Sequence, residues 1–297
     1  MPSATPSVNK VMNILLLYKN STYAGYFLSD RRRLAQLEGL LNSEEIKRFR
    51  RTHSNHFWSL SYVEAVLKSR KLKFTKACRG SSVDFSRYDL IITVGGDGTF
   101  LEAARQVKDT IVWGVNSDPT WSVGRFCSGN SKNFEDMLSS VITGRAKVRH
   151  FNRLSLEFSD GTQSMNVLND ILICHQNPAA MSRYYLSIGR VREEQRSSGV
   201  WIATAAGSSG GIHSAGGKVL EQEEKSFQYR PRELYRGRNM HYKLKGDVLK
   251  STGKVTMTSL MREGVVFVDG SHICLPFSFG AKIFVKRSMN PLKIIFE

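Results

Sequence analysis

The sequence predicts a chain of two parts, an N-terminal parallel α/β domain over residues 1–147 and a C-terminal, antiparallel β-rich domain over residues 148–297. Before about residue 150, apolar strand-like runs alternate with helix-like stretches, which is the pattern of a parallel sheet with crossover helices. After it, short alternating segments are joined by Gly, Asn, Asp and Ser turns, as in antiparallel sheets. A chain of 297 residues is long enough to bury two cores.

The N-terminal part is predicted to contain strands alternating with helices. The strand-like runs are Asn13–Tyr18, Leu72–Ala77, Asp89–Val94 and Thr110–Val115, and the helix-like stretches are Trp58–Ser69, Thr99–Val107 and Ser131–Thr143. The charged stretch Arg31–Arg51 is expected to form a helical insertion or lid. We favour a solvent-facing helix there, because the stretch is polar and highly charged.

The C-terminal part is predicted to consist mainly of strands. They are Arg153–Phe158, Met165–Cys174, Tyr184–Arg192, Val200–Ala205, Lys254–Ser259, Gly264–Val268, Lys282–Lys286 and Leu292–Phe296. We expect the last of these strands to return to the N-terminal domain and to extend its sheet.

The formal net charge of +17 indicates a surface that attracts polyanions. The basic clusters are dispersed, however, and no zinc-finger, helix-turn-helix or RNA-recognition signature accompanies them. We therefore favour a solvated surface, or attraction for nucleotide substrates, over nucleic-acid recognition. No run approaches the roughly 18 to 20 apolar residues of a membrane span, so neither nucleic acid nor a membrane is expected as a partner.

Four cysteines, Cys78, Cys127, Cys174 and Cys274, are far apart and form no Cys-x-x-Cys pair. This spacing favours a reduced protein without a structural metal, and a cytoplasmic location is expected. His175 follows Cys174 directly, but adjacent residues of a strand point to opposite faces, which argues against a catalytic Cys-His pair.

The most informative motif is Gly95-Gly96-Asp97-Gly98-Thr99, which follows the apolar run Asp89–Val94 and precedes a predicted helix. Glycines let the backbone approach a polyphosphate, and the first amides of the helix can face the anion. A carboxylate beside a polyphosphate is repelled unless it contacts Mg²⁺ or accepts a proton, so Asp97 indicates catalysis. The alternative is a structural turn in which Asp97 caps the helix.

Two further groups of residues in the C-terminal part are candidates for binding. Asn169 and Asp170 are polar residues in an apolar run, where they contact a ligand or satisfy the backbone of a turn. The small-residue run Thr204–Gly217 follows an apolar strand and offers hydroxyls and amides without bulk, which suits a heterocycle and its sugar. We expect His213 to be structural, and Val268–Ser271 to be a hairpin turn.

These motifs, in this order, resemble those of the NAD kinase family over residues 88–272. The resemblance is to the subgroup of the plant NADH kinase and the animal mitochondrial NAD kinase, as judged by Gly114–Pro119, Pro178–Arg183 and Arg196–Gly199. It implies transfer of the γ-phosphoryl group of ATP to the 2′-hydroxyl of the adenosine ribose of NAD⁺ or NADH. It also implies an active site in the cleft between the two domains, Mg²⁺ accompanying ATP, and a homodimer.

The resemblance also implies roles for single residues. Asp97 matches the aspartate that accepts the hydroxyl proton, while Gly95, Gly96, Gly98 and Thr99 match the loop that cradles phosphates. Asn169 and Asp170 match the pair that hydrogen-bonds the dinucleotide. Thr204, Ser209 and Ser214 fall in the glycine/serine loop that contacts the adenine and its neighbourhood, and Arg183 falls near a position contacting the nucleotide.

Two positions depart from the family pattern. Gly211 stands where many members have a tyrosine that stacks on the dinucleotide, and Ser198 stands where an acidic residue is common.

Two alternative functions remain open. One is a lipid or sphingoid-base kinase that shares only the Gly-Gly-Asp-Gly-Thr turn, and the other is a non-catalytic sensor that binds NAD(H).

Overall fold

The computed structural model describes residues 12–28, 36, 39–237 and 241–296. The chain divides into two compact units. Unit 1 comprises Met1–Arg149 and Lys293–Glu297, and unit 2 comprises His150–Leu292. No helix within the described ranges is long and apolar enough to cross a membrane.

Unit 1 contains a mostly parallel sheet with its helices. In chain order its elements are β1 (Ile14–Tyr18), α1 (Ser43–Ser69), β2 (Phe74–Cys78), β3 (Leu90–Gly95), α2 (Asp97–Gln106), β4 (Ile111–Asn116), β5 (Cys127–Asn130), α3 (Phe134–Ile142) and β6 (Val148–Phe151). A π-helical turn at Ala24–Leu28 and a 3₁₀ turn at Phe85–Arg87 lie in the connections.

The sheet of unit 1 has the order β2-β1-β3-β4, followed by β19 (Leu292–Ile295) and then β6, while β5 pairs with β4. Every residue of β3 is buried, as expected for a central parallel strand that is covered on both faces. β19 pairs in parallel with β4 at Ile294 and Val112. The prediction that the last strand returns to the N-terminal domain is therefore confirmed.

Helix α1 is longer than the sequence predicted. It begins after Asn42, whose side chain accepts from the backbone of Glu45 at 3.0 Å, while Glu45 accepts from the Asn42 nitrogen at 2.8 Å. This capping box starts the helix 15 residues before Trp58. The predicted start at Trp58 was wrong because the first turns are mostly charged, with Ile46 and Phe49 as their apolar residues. Of the stretch Arg31–Arg51, residues 43–51 belong to α1, and 31–35 and 37–38 lie outside the described residues.

Unit 2 is made of two antiparallel sheets. In chain order its elements are β7 (Leu154–Phe158), β8 (Ser164–Val167), β9 (Asp170–His175), β10 (Ser182–Ile188), β11 (Val191–Ser197), β12 (Val200–Thr204), α4 (Gly211–Ser214), β13 (Phe227–Pro231), β14 (Asp247–Leu249), β15 (Lys254–Ser259), β16 (Gly264–Val268), β17 (Ile273–Pro276) and β18 (Lys282–Arg287). The sheet orders are β11-β10-β15-β18-β7-β8 and β14-β13-β12-β9-β16-β17. The predicted fold class, parallel α/β followed by antiparallel β, is confirmed.

The core of unit 2 is one apolar cluster that takes side chains from both sheets. Ile171 and Ile202 contribute from one sheet, and Tyr184, Leu186 and Ile283 from the other. Alternate residues of each strand enter this cluster, which is the pattern of two sheets packed face to face.

Two predicted strands are in fact pairs of strands. Met165–Cys174 is divided into β8 and β9. At the break, the backbone nitrogens of Leu168 and Asn169 donate to the Asp269 carboxylate and not to the backbone of a neighbouring strand. Tyr184–Arg192 is divided into β10 and β11 by a turn at Gly189, which has a φ of +58°. Sequence reasoning also missed the strands β5, β6, β13, β14 and β17.

Candidate functional site

The glycine motif of unit 1 lies where β3 ends and α2 begins. Gly95 is the last residue of β3, Gly96 is the N-cap of α2, and Asp97 is its first residue. The N-cap has no side-chain hydrogen bond, so the first amides of α2 are not capped by a side chain at that position. Such amides, together with the helix dipole, favour an anion.

The carboxylate of Asp97 is held by a neighbouring loop and does not cap its own helix. Its Oδ1 accepts from the backbone nitrogen of Phe126 at 2.9 Å. The ring of Phe126 stacks on Phe100 of α2, with a centroid separation of 5.4 Å and an interplanar angle of 12°. Asp97 is half-buried. The loop before β5 thus fixes the side chain that the sequence predicts to be catalytic.

The other residues of the motif are buried to different degrees. Thr99 and Gly95 are buried and pack against each other, since a Cβ at position 95 would overlap the Thr99 hydroxyl. Gly98 is exposed. The accessible part of the loop is therefore Gly98 with the half-buried Asp97, whereas Thr99 shapes the turn from within.

Residues at the carboxyl ends of β1 and β4 lie at the same edge of the sheet as the glycine loop. Burial lowers the pKa of Lys19, opposed by the nearby charge of Asp118 and reinforced by that of Arg79. Asp118 is buried, and its Oδ1 accepts from Asn55 at 3.0 Å. In open α/β sheets this edge is the usual place for ligands.

His56 of α1 connects the ends of two strands. Its Nε2 lies 2.7 Å from the carbonyl oxygen of Lys19, and its Nδ1 lies 2.8 Å from the hydroxyl of Ser117. Burial lowers the pKa of His56 to about 4, despite its hydrogen bond to Lys19. The imidazole is therefore neutral near pH 7, with Nε2 donating to the carbonyl and Nδ1 accepting from the hydroxyl.

In unit 2, three acidic and amide side chains meet at the start of β9. Asn169 Nδ2 donates to Asp170 Oδ2 at 2.9 Å. Asp269 Oδ1 accepts from the backbone nitrogens of Asn169 at 2.6 Å and Asp170 at 3.3 Å, and its Oδ2 accepts from Leu168 at 3.2 Å. The Asp269 nitrogen in turn donates to the Asp170 carbonyl at 2.9 Å. Asp269 therefore holds the backbone from which Asn169 and Asp170 project.

Asp170 is 5% exposed, and its environment disfavours the charged form. Burial, reinforced by the nearby charge of Asp269, raises the pKa of Asp170 to about 7. A buried carboxylate of this kind is costly unless hydroxyl or amide donors satisfy it. Because a carboxylate can accept from two hydroxyls at once, a vicinal diol suits this position.

Thr204, at the end of β12, closes the turn beside Asn169. Its hydroxyl donates to the Leu168 carbonyl at 2.5 Å, and the Gly207 nitrogen donates to the same hydroxyl at 3.0 Å. A Cβ at Gly207 would overlap the carbonyl oxygen of Asn169, so the two loops approach at a distance that only glycine permits. The structure thus brings Asn169, Asp170 and Thr204 together.

The remaining predicted residues of unit 2 are exposed on its surface. Ser209 is exposed in the loop before α4, and Ser214 is the exposed last residue of α4. Arg183 is exposed on β10, in the other sheet of the unit, where its Nη2 donates to Glu194 Oε1 at 3.3 Å.

The absence of an aromatic residue at position 211 has a structural explanation. A Cβ at Gly211 would lie 2.6 Å from Cζ2 of Trp201, so the indole of β12 already occupies this space. Trp201 is partly exposed and pairs with Leu172 of β9, two residues from Asp170. An aromatic side chain is present beside this loop, but it comes from the preceding strand.

Sequence reasoning missed Lys19, Arg79, Trp201 and the structural role of Asp269. For Lys19 a signal existed, because it directly follows an apolar strand whose carboxyl end lies at the ligand edge of a parallel sheet. For Asp269 the signal was weak. Its Asp-Gly dipeptide reads as an ordinary hairpin turn, and the φ of +49° at Asp269 is visible only in the fold.

A family model and a curated relative agree on the family. Residues 45–145 match the family described as ATP-NAD kinase N-terminal domain. A probable NADH kinase of Oryza sativa subsp. japonica is 30% identical over 263 residues, which cover 81% of this chain and 81% of that protein.

Two crystal structures show the same fold. An NAD kinase from Archaeoglobus fulgidus in complex with ATP has a TM-score of 0.69 at 23% identity, covering 96% of this chain and 93% of that one. A yeast NADH kinase complexed with NADH has a TM-score of 0.67 at 16% identity, covering 97% and 84%. The Oryza protein, which is 30% identical over four fifths of both sequences, shows that this chain belongs to the NAD kinase family.

Proposed function

We propose that this protein transfers the γ-phosphoryl group of ATP to the 2′-hydroxyl of the adenosine ribose of NAD⁺ or NADH, giving NADP⁺ or NADPH. The observation that carries the proposal is Asp97. Its carboxylate is fixed by the Phe126 amide at the first turn of α2, next to a loop that suits phosphates. Membership of the NAD kinase family supports this reaction, and no observation favours a lipid kinase.

The reaction does not require a covalent intermediate with the protein. The 2′-oxygen forms a bond to the γ-phosphorus, the bond from that phosphorus to the bridging oxygen breaks, and ADP leaves with the electron pair. Asp97 accepts the hydroxyl proton and later releases it to water. Positioning and neutralisation of charge account for most of the rate in such transfers.

Asp97 is also the residue that would contact Mg²⁺, which we propose to accompany ATP. Among the described residues, no group of three or more His, Cys, Asp or Glu side chains could hold a metal ion. Mg²⁺ is usually held by one or two carboxylates together with substrate phosphates, and the single carboxylate of Asp97 suits that role. The ion supplies neutralisation of the phosphate charge when bound.

In unit 2 we propose that Asp170 accepts hydrogen bonds from the vicinal hydroxyls of a ribose, while Asn169 provides an amide beside it. The burial of Asp170 and its contact with Asn169 support this role. We further propose that Thr204, Ser209 and Ser214 line the adenine end of the nucleotide. Arg183, which is exposed and shares Glu194 with Arg196, is proposed to contact the nucleotide.

We also propose that the protein acts as a cytoplasmic homodimer whose partners are small nucleotides, with neither nucleic acid nor a membrane involved. All four cysteines are free, which supports a reducing compartment. The dimer is inferred from the family resemblance alone.

The test is production of NADP⁺ or NADPH by the purified protein with ATP, Mg²⁺ and either NAD⁺ or NADH. Asp97→Asn should lower kcat by about 10²- to 10⁴-fold, the usual contribution of a positioned base. Asp136→Asn is the matched control, since Asp136 is an exposed carboxylate in the first turn of α3 and should leave kcat unchanged. Absence of turnover by the wild type with both dinucleotides, or an active Asp97→Asn variant, would contradict the proposal.

A further inference from the structure

A guanidinium group lies directly against the glycine loop of unit 1. Arg79 follows β2, and its backbone nitrogen donates to the Tyr18 carbonyl at 2.6 Å. Its Nη1 is 3.0 Å from the position that a Cβ of Gly98 would occupy, and its Cζ is 3.7 Å from the same point. The positive charge therefore lies one residue from Asp97, at the exposed part of the loop.

Glu102 of α2 fixes the direction of this guanidinium. Glu102 Oε2 accepts from Arg79 Nε at 3.0 Å, and Oε1 accepts from the Gly80 nitrogen at 2.7 Å. Both side chains are mostly buried, with 21% of Arg79 and 16% of Glu102 exposed. Because Glu102 binds Nε, the two terminal nitrogens remain on the side of Gly98.

One of these terminal nitrogens has unused hydrogen-bonding capacity. Arg79 Nη2 is buried and has no hydrogen-bond partner among the described residues. A buried N–H group of a charged side chain that lacks a partner is costly and calls for an explanation. An anion that accepts from it would remove that cost.

The local charge also favours an anion. The positive charge of Arg79 is one of the causes that lower the pKa of the nearby Lys19, so the two cations repel each other across this edge of the sheet. The first amides of α2 add a partial positive charge at the same place. An arginine is well suited to phosphate because its planar fork matches two phosphoryl oxygens.

We propose that Arg79 binds phosphoryl oxygens of the nucleotide at the glycine loop, and that Glu102 is its positioning residue. The inference rests on the proposed function and adds to it a residue that the glycine motif does not include. The ligand chemistry is a polyphosphate, which is either the triphosphate of ATP or the pyrophosphate of the dinucleotide. The kinetic experiment distinguishes these two sources.

The experiment compares wild type with Arg79→Gln, Arg79→Lys and Glu102→Gln in steady-state kinetics, varying ATP and NAD(H) separately. Arg79→Gln should raise KM about 10- to 100-fold for the nucleotide whose phosphates it contacts, and only slightly for the other. Arg79→Lys should recover part of this loss, because lysine keeps the charge but lacks the fork. Arg87→Gln is the matched control, since Arg87 is exposed and pairs with Asp84.

Glu102→Gln tests positioning. Glu102→Gln should raise the same KM by a smaller factor. In the double variant Arg79→Gln with Glu102→Gln, the KM should be little higher than in Arg79→Gln alone, because both changes disrupt the same pair of interacting side chains. An increase of KM for ATP assigns Arg79 to the donor, and an increase for NAD(H) assigns it to the acceptor. The proposal is overturned if Arg79→Gln leaves both KM values unchanged. It is also overturned if the only effects of Arg79→Gln are a lower kcat and a lower melting temperature.

Direct binding separates this inference from the proposed function. Calorimetry with ADP and with inorganic tripolyphosphate needs no turnover, so it also serves if the wild type proves inactive as an NAD kinase. Weaker binding of these probes to Arg79→Gln and Arg79→Lys, with thermal stability retained, supports the phosphate contact. Equal binding by wild type and both variants contradicts it.

Discussion

Oδ1 of Asp269 accepts a hydrogen bond from the backbone nitrogen of Asn169 at 2.6 Å, although 100 residues separate the two in the sequence. Asp269 is 3% exposed and adopts a φ of +49°. Three consecutive backbone nitrogens, from Leu168 to Asp170, donate to this one carboxylate. The hairpin turn after β16 thus sets the conformation of the chain at the proposed ribose contact.

Asp269→Asn should therefore destabilise unit 2. The amide has a single acceptor oxygen, and its NH₂ group would face backbone N–H groups, so we expect a loss of about 1.5–3 kcal/mol. Urea unfolding near neutral pH measures it. Asp160→Asn, at an exposed turn where the carboxylate accepts from Thr162, serves as control and should cost less. Equal losses in the two variants would argue against a special role for Asp269.

Asp170→Asn should stabilise the protein at pH 8 and stabilise it by a smaller amount at pH 5. The folded state raises the pKa of Asp170 from its ordinary 3.8 to about 7. Between these values the folded state binds more protons than the unfolded state, so stability falls as pH rises through this window. Asparagine removes the titration, which should flatten the dependence. Unfolding free energies at both pH values test this, and a variant less stable than wild type at pH 8 would refute it.

His56→Gln should lose stability near pH 7.5, and the loss should shrink as pH falls to about 4.5. Burial lowers the pKa of His56 from 6.5 to about 4. Its contribution to stability is therefore fully present above pH 6.5 and is lost as pH falls through about 4. Urea midpoints at several pH values measure the difference from wild type. His213→Gln is the control because His213 is exposed on α4, and a pH-independent difference at His56 would contradict the assignment.

Gly211→Tyr should lower thermal stability. Its Cβ would lie 2.6 Å from Cζ2 of Trp201, and overpacking of this kind costs about 1–3 kcal/mol. The double variant Trp201→Ala with Gly211→Tyr should recover part of the melting temperature. If the double variant is no more stable than Gly211→Tyr alone, the clash with the indole is not the cause.

Local patterns were sufficient for the fold class and for the glycine loop, because strand periodicity and the residues Gly95 to Thr99 are contiguous in the sequence. Arg79 and Glu102 could not be paired in advance, because their contact depends on β2 and β3 both pairing with β1. Asp269 and Asn169 meet through the pairing of β16 with β9. In the sequence, Trp201 could not be distinguished from other strand residues. Its contact with Gly211, which explains the glycine at that position, is seen only in the fold.

The functional roles of Asp97, Asn169, Asp170 and their neighbours stay predictions. The structure gives these residues positions and contacts, and the kinetics of Asp97→Asn test the role of Asp97. The start of α1 was the largest error in the elements of unit 1. The charged stretch Arg31–Arg51 was expected to be helical, and its residues 43–51 form the first turns of α1, which begins with a capping box at Asn42.

The position of β19 has a consequence for how the protein is made. Ile294 and Ile295 are buried in unit 1, in a strand that lies between β4 and β6, yet unit 2 is encoded between them and the rest of that sheet. While domains usually fold in order during synthesis, the ribosome must deliver all of unit 2 before the sheet of unit 1 can close. Until then the edges of β4 and β6 lack their shared neighbour. During synthesis, unit 1, which contains the glycine loop, therefore remains incomplete until β19 has been made.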